Sequence, residues 1–201
     1  MRKIIILAIF SLVLFSVGVL TAKTSTDGKD APGVGAKAPL FALDSIMYDR
    51  FIMMDKLEEV KKEKGIIILD FWATWCAPCK KEMPIFQKIN EELTENNVHL
   101  YAITIDALRK DVWKYAKKDN QFTFNILLDQ NAANCAKKYG ASSVLPQLFI
   151  IDSEGVIRFQ HTGQIHNLEA LIKSEVNKIN PGTFKGFDNV KLEAGDAAVS
   201  K

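Results

Sequence analysis

The amino-acid sequence predicts an α/β domain with a central mixed β-sheet and helices on both of its faces. An almost unbroken apolar and β-branched run at residues 66–73 has the length and composition of a buried central strand. An apolar helical stripe follows at 78–96, and strand and helix patterns then alternate to residue 179. The 201-residue chain is 48% hydrophobic and 25% charged, as expected for one buried core. Its net charge of +2 gives no basic footprint for a nucleic-acid partner.

The N-terminus has the layout of an export sequence. Arg2 and Lys3 precede an uncharged apolar run at 4–20, near the lower limit of the roughly 17–25 residues that span a bilayer. No cleavage position offers small residues at both required sites without shortening this run. Residues 1–22 are therefore interpreted as either a signal peptide or an uncleaved membrane anchor, and both place the domain outside the cytoplasmic membrane. Residues 23–33 lack large apolar side chains and predict a linker.

Short elements are predicted to lead into the central strand. Mixed aromatic and aliphatic residues at 41–54 predict a pair of edge strands, and residues 55–64 predict a short helix. The buried strand at 66–73 then runs into the helix at 78–96. Pro84 lies inside that helix, where its missing N–H group is expected to produce a kink.

The second half of the chain predicts alternating strands and helices, closed by a hairpin and a last helix. These are strands at 98–105 and 122–128, helices at 111–118 and 132–139, hairpin strands at 147–152 and 156–162, and a final helix at 168–179. Residues 34–181 are the predicted domain. Residues 182–201 are weakly patterned and predict a loosely packed C-terminal tail.

The segment Cys76-Ala77-Pro78-Cys79 lies at the junction of the central strand and the kinked helix. Cys76 is expected at the helix N-terminus, where unpaired N–H groups and the helix dipole favour a thiolate. Cys79 lies one turn deeper and is shielded, and Pro78 fits the first turn without costing a hydrogen bond. The pair therefore provides an attacking and a resolving thiol for exchange through a mixed disulfide.

Other interpretations of the cysteines have less support. A structural zinc site needs four ligands, and the sequence offers no second cysteine pair beside His99, His161 and His166, so no metal site is predicted. A copper carrier stays open, because Cu(I) accepts two thiolates. The third cysteine, Cys135, is expected to be a buried and inert residue of a short helix, with a regulatory thiol as the alternative.

Residues 69–80, with the sequence LDFWATWCAPCK, resemble the active site of the thioredoxin superfamily nearly residue for residue. Pro84 falls where that superfamily kinks its active-site helix, and residues 145–152 are similar to its cis-proline loop and following strand. An inserted strand–helix unit at 122–139, the extra N-terminal strand pair and the membrane segment resemble the TlpA/ResA-like branch. The resemblance covers residues 34–180. It implies a thioredoxin fold with two additions, the inserted strand–helix unit and the N-terminal strand pair.

The resemblance implies a role for each matching position. Cys76 would be the nucleophile and Cys79 the resolving thiol, and their reversible disulfide would need no further cofactor. Asp70 would be the buried acid behind Cys79, with a pKa raised by its apolar surroundings so that it can exchange a proton with that thiol. The alternative is that Asp70 is solvated at the start of the loop. The lysine that often accompanies this acid is missing, since its position falls near Ala102.

The same resemblance implies five residues that contact the substrate. Trp75, Ala77 and Pro78 would surround the attacking thiol, with Trp75 as an exposed platform. Pro146 would follow a cis peptide bond and present the backbone of Leu145 beside the thiols. Leu145 departs from the smaller or β-branched residue common at this position, which is expected to alter the fit of substrates.

Together these features indicate an extracytoplasmic protein-disulfide reductase that acts on client proteins, with cytochrome c maturation as a process implied by the branch. Its partners would be those clients and a membrane or extracytoplasmic thiol–disulfide electron donor. Ala77 and Pro78 carry no cation that would stabilise the thiolate strongly, which favours a reductase. The alternatives are a disulfide oxidase or isomerase of the same fold, or a non-catalytic thiol chaperone or copper carrier.

Overall fold

The computed structural model describes residues 31–47 and 49–188. The predicted export segment at 1–22 and most of the predicted linker lie outside these residues, and none of the described helices is long and apolar enough to cross a membrane. The elements are β1 (Ala42–Ser45), β2 (Arg50–Ile52), α1 (Met53–Glu63), β3 (Ile66–Trp72), α2 (Ala77–Glu95), β4 (Val98–Thr104), α3 (Arg109–Trp113), a π-helical segment (Lys114–Asp119), β5 (Asn125–Leu128), a 3-10 turn (Gln130–Ala132), α4 (Cys135–Tyr139), β6 (Gln147–Ile151), β7 (Ile157–Thr162) and α5 (Leu168–Ile179).

Seven strands form one sheet in the order β2-β1-β5-β4-β3-β6-β7. Strands β3, β4 and β5 are parallel to one another. Strands β6 and β7 on one side, and β1 and β2 on the other, run antiparallel to their neighbours. The predicted fold class is therefore confirmed: this is a thioredoxin fold in which β1 and β2 are the extra strand pair and β5 belongs to the inserted unit.

The central strand β3 is buried at every position, so both faces of the sheet are covered there. Its start depends on Gly65, because a Cβ atom at that position would lie 2.6 Å from the carbonyl oxygen of Asn97. The absence of a side chain lets α1 turn directly into β3 while the beginning of β4 runs alongside. At its other end β3 leads into the cysteine pair, so the strand fixes the position of that pair within the core.

Several elements are less regular than the periodicity predicts. The helix predicted at 111–118 is the short α3 followed by the π-helical segment. The helix predicted at 132–139 is reduced to α4, because Asn131 and Ala132 have positive φ angles of 57° and 52°. The strand predicted at 122–128 is shortened to β5. Strand β4 is buried at almost every position, because it lies between β3 and β5.

The start of the predicted loosely packed tail is in fact packed against α5. Phe184 is only 3% exposed. Its backbone N–H donates to Oδ1 of Asn177 at 2.8 Å, and its carbonyl oxygen accepts from Nδ2 of the same residue at 2.6 Å. The packing of Phe184 departs from the predicted loose tail, because one anchoring aromatic side chain leaves no periodic pattern in a sequence. Residues 189–201 lie outside the described part of the chain.

Candidate active site

The two cysteines lie where β3 ends and α2 begins, and they form a disulfide. Cys76 is the N-cap of α2, and its Sγ accepts a 3.3 Å hydrogen bond from the backbone N–H of Cys79. The Cys76 side chain retains 5% exposure, whereas Cys79 is fully buried. Cys76 is therefore the more accessible of the two sulfurs.

The residues next to Cys76 in the chain include the exposed tryptophan that the sequence predicts. Trp75 is 67% exposed, which is consistent with a platform beside the thiol. Ala77 is exposed and Pro78 is half-buried in the first turn of α2. Lys80 follows the motif with its Nζ 5.4 Å from the centre of the Tyr115 ring, so this cation is held by the π-helical segment.

The loop before Cys76 is braced by Asp106, a residue that the sequence analysis does not single out. The buried Asp106 carboxylate accepts from the backbone N–H and the hydroxyl of Thr74 at 2.8 and 2.6 Å. It also accepts from the hydroxyl of Thr104 at 2.5 Å. This network joins the end of β4 to the turn that precedes Cys76. An aspartate at a strand end is too common a feature to predict such a contact from the sequence.

The predicted cis-proline loop lies beside the end of β3. The peptide bond between Leu145 and Pro146 is cis. Strand β6 begins directly after it and pairs with β3, with Gln147 opposite Phe71. Pro146 is buried and its carbonyl oxygen accepts from the N–H of Gly163 at 2.9 Å, whereas Leu145 is half-buried. The sheet thus brings this loop to the same edge as the cysteine pair, although the two are distant in the sequence.

Asp70 is buried in the middle of the sheet with 1% of its surface exposed. Neither of its carboxylate oxygens has a hydrogen-bond partner among the described residues. Burial raises the pKa of Asp70 well above its ordinary value, and the nearby carboxyl of Glu82 raises it further. The solvated alternative for Asp70 is therefore wrong. Ala102 lies opposite Asp70 on β4, as expected for a site without the companion lysine.

Glu82 is a buried acidic residue near Asp70 that sequence reasoning missed, and it adds a polar neighbour to the apolar surroundings predicted for Asp70. Glu82 is 2% exposed, and its Oε1 accepts from the backbone N–H of Ile165 at 2.7 Å. It lies three positions after Cys79 in α2, and residues at this spacing share one face of a helix. That spacing could have identified Glu82 from the sequence, but an acidic residue in a charged helical stretch is usually exposed.

Cys135 is fully buried in α4, as predicted, and is a free cysteine. Burial, together with the charge of Asp129, raises the pKa of the Cys135 thiol well above its ordinary value. A thiol that stays protonated and shielded is a poor nucleophile. Its inertness remains a prediction.

One group of three metal-ligating side chains occurs among residues 31–47 and 49–188. Glu59, Glu63 and His99 have ligand atoms that all lie within 4.8 Å of one another. They belong to α1 and β4, apart from the cysteine pair, and Lys56 already donates to Glu59 at 2.8 Å. The group therefore provides no ligand to the predicted redox site.

The fold and the cysteine pair define a thiol–disulfide oxidoreductase of the thioredoxin-fold class. The sequence model of the AhpC/TSA family matches residues 34–160, and the chain belongs to this family. It is 29% identical over 181 residues to the thiol-disulfide oxidoreductase ResA of Geobacillus thermodenitrificans, covering 90% of this chain and 95% of the relative. The Bacillus subtilis ResA is 30% identical over 159 residues, covering 79% of this chain and 83% of the relative.

A solved structure supports the fold independently. The chain is similar to a Chlorobium tepidum protein assigned as the thiol:disulfide interchange protein DsbE, with a TM-score of 0.64 and 24% sequence identity. The similarity covers 75% of this chain and 99% of the other. At this identity the comparison shows the fold alone, so the roles of individual residues have to be argued from the site itself.

Proposed function

We propose that the chain is exported and reduces disulfides of client proteins outside the cytoplasmic membrane. The observation that carries the proposal is the asymmetry of the cysteine pair. Cys76 caps α2 and keeps 5% of its surface exposed, whereas Cys79 is fully buried on the helix that also carries the buried Glu82. A reachable thiol, a shielded partner and an internal proton acceptor are the parts that exchange through a mixed disulfide requires.

In the proposed reaction the Cys76 thiolate attacks one sulfur of a client disulfide. The first bond formed is a mixed disulfide, and the other client sulfur leaves as a thiolate. Cys79 then gives its proton to the carboxyl pair of Asp70 and Glu82 and attacks Sγ of Cys76. The client departs with both sulfurs reduced, and its two electrons come from the protein, which keeps the Cys76–Cys79 disulfide. A membrane or extracytoplasmic thiol–disulfide donor restores the dithiol by the reverse steps.

The client is proposed to bind the exposed surface around Cys76. Trp75, Ala77 and Pro78 would contact it on one side, and Leu145 and Pro146 on the other. The likeness to the TlpA/ResA-like branch supports apocytochrome c among the clients, because the two cysteines of a haem-attachment site must be reduced before haem is attached. The export segment at 1–22 supports a location outside the cytoplasmic membrane, either as a signal peptide or as a tether.

The order of attack can be tested by alkylation of the reduced full-length protein. Cys76 is expected to react first at limiting reagent, because it is at the helix N-terminus and retains exposure, whereas Cys79 is buried. Peptide mapping by mass spectrometry identifies the labelled residue, and Cys135 is the internal control for a shielded thiol. Labelling of Cys79 ahead of Cys76 would contradict the assignment of the nucleophile.

Substitution of Asp70 by asparagine is expected to stabilise the protein at neutral pH. The pKa of Asp70 is raised in the folded state, so the folded protein keeps a proton that the unfolded chain has released. The free energy of unfolding therefore decreases by about 1.4 kcal/mol per pH unit over a range of pH. This range begins at the pKa of the carboxyl in the unfolded chain, about 3.9, and ends at its higher pKa in the folded protein. The variant lacks this fall. Urea unfolding of the oxidised protein at several pH values measures the difference.

The same substitution is expected to slow resolution by Cys79, because an amide cannot accept its proton. Reaction with dithiobis-nitrobenzoate separates the steps: the first chromophore released reports attack by Cys76, and the second reports resolution by Cys79. Only the second release should slow in Asp70→Asn. The control Asp111→Asn, on the exposed side of α3, should change neither stability nor rate. Equal second-phase rates in Asp70→Asn and wild type from pH 6 to 9 would remove Asp70 from the mechanism.

The export segment can be tested by extraction of membranes from expressing cells. An uncleaved anchor is expected to leave the protein in the membrane after washing at alkaline pH, and a protease should then digest the domain only from the outer side. A cleaved signal peptide instead gives a soluble extracytoplasmic protein that begins near Lys23. Recovery of the full-length chain in the cytoplasm would contradict both forms of the proposal.

A further inference from the structure

A histidine lies in the same row of the sheet as the buried acid. Asp70 on β3 is directly opposite Leu148 on β6, and Leu148 is directly opposite His161 on β7. Residues directly opposite one another in antiparallel strands point to the same face of the sheet. His161 therefore shares the face of Asp70, and its side chain is buried with 3% exposure.

Glu82 of α2 interacts both with Asp70 and with the chain that follows β7. Its carboxyl is close enough to Asp70 to raise the pKa of that residue. Its Oε1 atom also accepts from the backbone N–H of Ile165, which follows β7 four positions after His161. The Glu82 carboxyl thus lies near both β3 and the segment that follows β7, and these two strands have one strand, β6, between them. All three ionisable side chains are buried.

We propose that His161 is a positioning residue for the proton-transfer step: its imidazolium holds the Glu82 carboxylate, so that Asp70 can release and accept the Cys79 proton near neutral pH. The proposal rests on the disulfide exchange proposed above and adds a third group to it. Neither the CxxC motif nor the cis-proline loop identifies this histidine.

A cation is needed because two negative charges in one buried site, away from water, are energetically costly. A carboxylate beside another carboxylate raises its pKa, whereas a cation beside it lowers the pKa. With His161 protonated, Glu82 and His161 together carry no net charge, so Asp70 is the one carboxyl whose ionisation has to be tolerated. Without the His161 cation, the negative charge of Glu82 would not be compensated. The pKa of Asp70 would then rise, and Asp70 would ionise only at higher pH.

The other buried charged groups of α2 and α5, Lys173 and Glu175, are paired with residues outside this site. Helices α2 and α5 lie together on this face, joined by Lys173, which donates to Glu92 at 2.7 Å and to Glu169 at 2.9 Å. Glu175 accepts from Lys178 at 2.5 Å. His166 is exposed in the loop before α5. His161 is therefore the buried cationic candidate at the carboxyl pair in the part of the chain that the structure describes.

The test is the pH dependence of resolution by Cys79 in full-length His161→Gln, followed by the second chromophore release from dithiobis-nitrobenzoate. The inflection of the rate profile is expected to move by about one pH unit to higher pH, the smallest shift that a neighbouring charge usually produces. The rate at high pH should be recovered, because the thiols and the carboxyl pair are still present. The first release should keep its wild-type rate.

A matched control is His99→Gln, which removes a half-buried histidine from the other face of the sheet. His99 is paired with Ile67, three positions before Asp70 on β3, so its side chain points away from the carboxyl pair. This variant should keep the wild-type pH profile. An unchanged inflection in His161→Gln, or the same shift in both histidine variants, would overturn the proposal.

A second measurement covers the case in which His161→Gln does not fold. In the wild-type protein the imidazole of His161 can be titrated by NMR, and in Glu82→Gln its pKa is expected to be lower because the compensating carboxylate is gone. An identical His161 titration in both proteins would contradict the contact. The failure of disulfide exchange itself is a separate result, since a wild-type protein that releases no second chromophore contradicts the proposed function before any variant is compared.

Discussion

Replacement of Cys79 by serine is expected to stop turnover and to trap the protein in a mixed disulfide with its substrate. The first step needs only the Cys76 thiolate at the helix N-terminus, so a client disulfide is still attacked. The second step has no thiol to complete it. With oxidised glutathione as substrate, mass spectrometry should show one glutathione attached at Cys76 and no intramolecular disulfide.

The reciprocal variant gives the opposite result. Cys76→Ser retains a buried Cys79, which is fully shielded and should form no adduct under the same conditions. Cys135→Ala is the matched control, because it removes a buried cysteine outside the site and should keep full turnover. An adduct on Cys79 in Cys76→Ser that forms as fast as the one on Cys76 would contradict the division of roles. Retained turnover in either active-site variant would contradict a dithiol mechanism.

The reduction potential is expected to lie nearer the roughly −270 mV of thioredoxin than the roughly −120 mV of a strong oxidase. A disulfide is oxidising when its reduced form is unusually stabilised, which happens when the thiolate has strong donors or a cation beside it. At Cys76 the donor shown is the backbone N–H of Cys79 at 3.3 Å. Ala77 and Pro78 offer no side-chain donor, and Lys80 is held over the Tyr115 ring.

The two outcomes are far apart in energy, so the measurement is decisive. About 30 mV corresponds to 1.4 kcal/mol for this two-electron couple, and the two reference values differ by roughly 7 kcal/mol. Equilibration of the full-length protein with dithiothreitol buffers gives the potential. The variant Ala77→His places a cation between the cysteines at an exposed position and should make the potential less negative. A wild-type potential above about −170 mV would favour the oxidase or isomerase instead.

Much of the fold followed from the sequence because its strongest patterns are local. The apolar run that became β3 is continuous, and a strand covered on both faces requires that composition. The helix after it is predicted by an apolar stripe and by the Cys76–Cys79 spacing. Both are patterns among residues only a few positions apart. Weaker local patterns were less reliable, since the φ angles of Asn131 and Ala132 break a helix that periodicity alone predicts.

The catalytic surroundings depend on contacts between distant parts of the chain. Glu82 lies near Asp70 because the tertiary fold brings α2 close to the middle of β3. His161 shares the sheet row of Asp70 because β6 and β7 fold back along the same sheet. The same holds for Asp106, which reaches Thr74 across parallel strands, and for Phe184, which α5 buries.

The sequence by itself thus determined the fold class, the cysteine pair and the expectation of a buried acid, because motif spacing and apolar runs are properties of neighbouring residues. Tertiary structure decided which other charges share the site with that acid. Whether a polar side chain is exposed or buried depends on what packs over it. In a low-dielectric core that packing sets the pKa of Asp70, because desolvation and a nearby carboxyl both penalise its charged form.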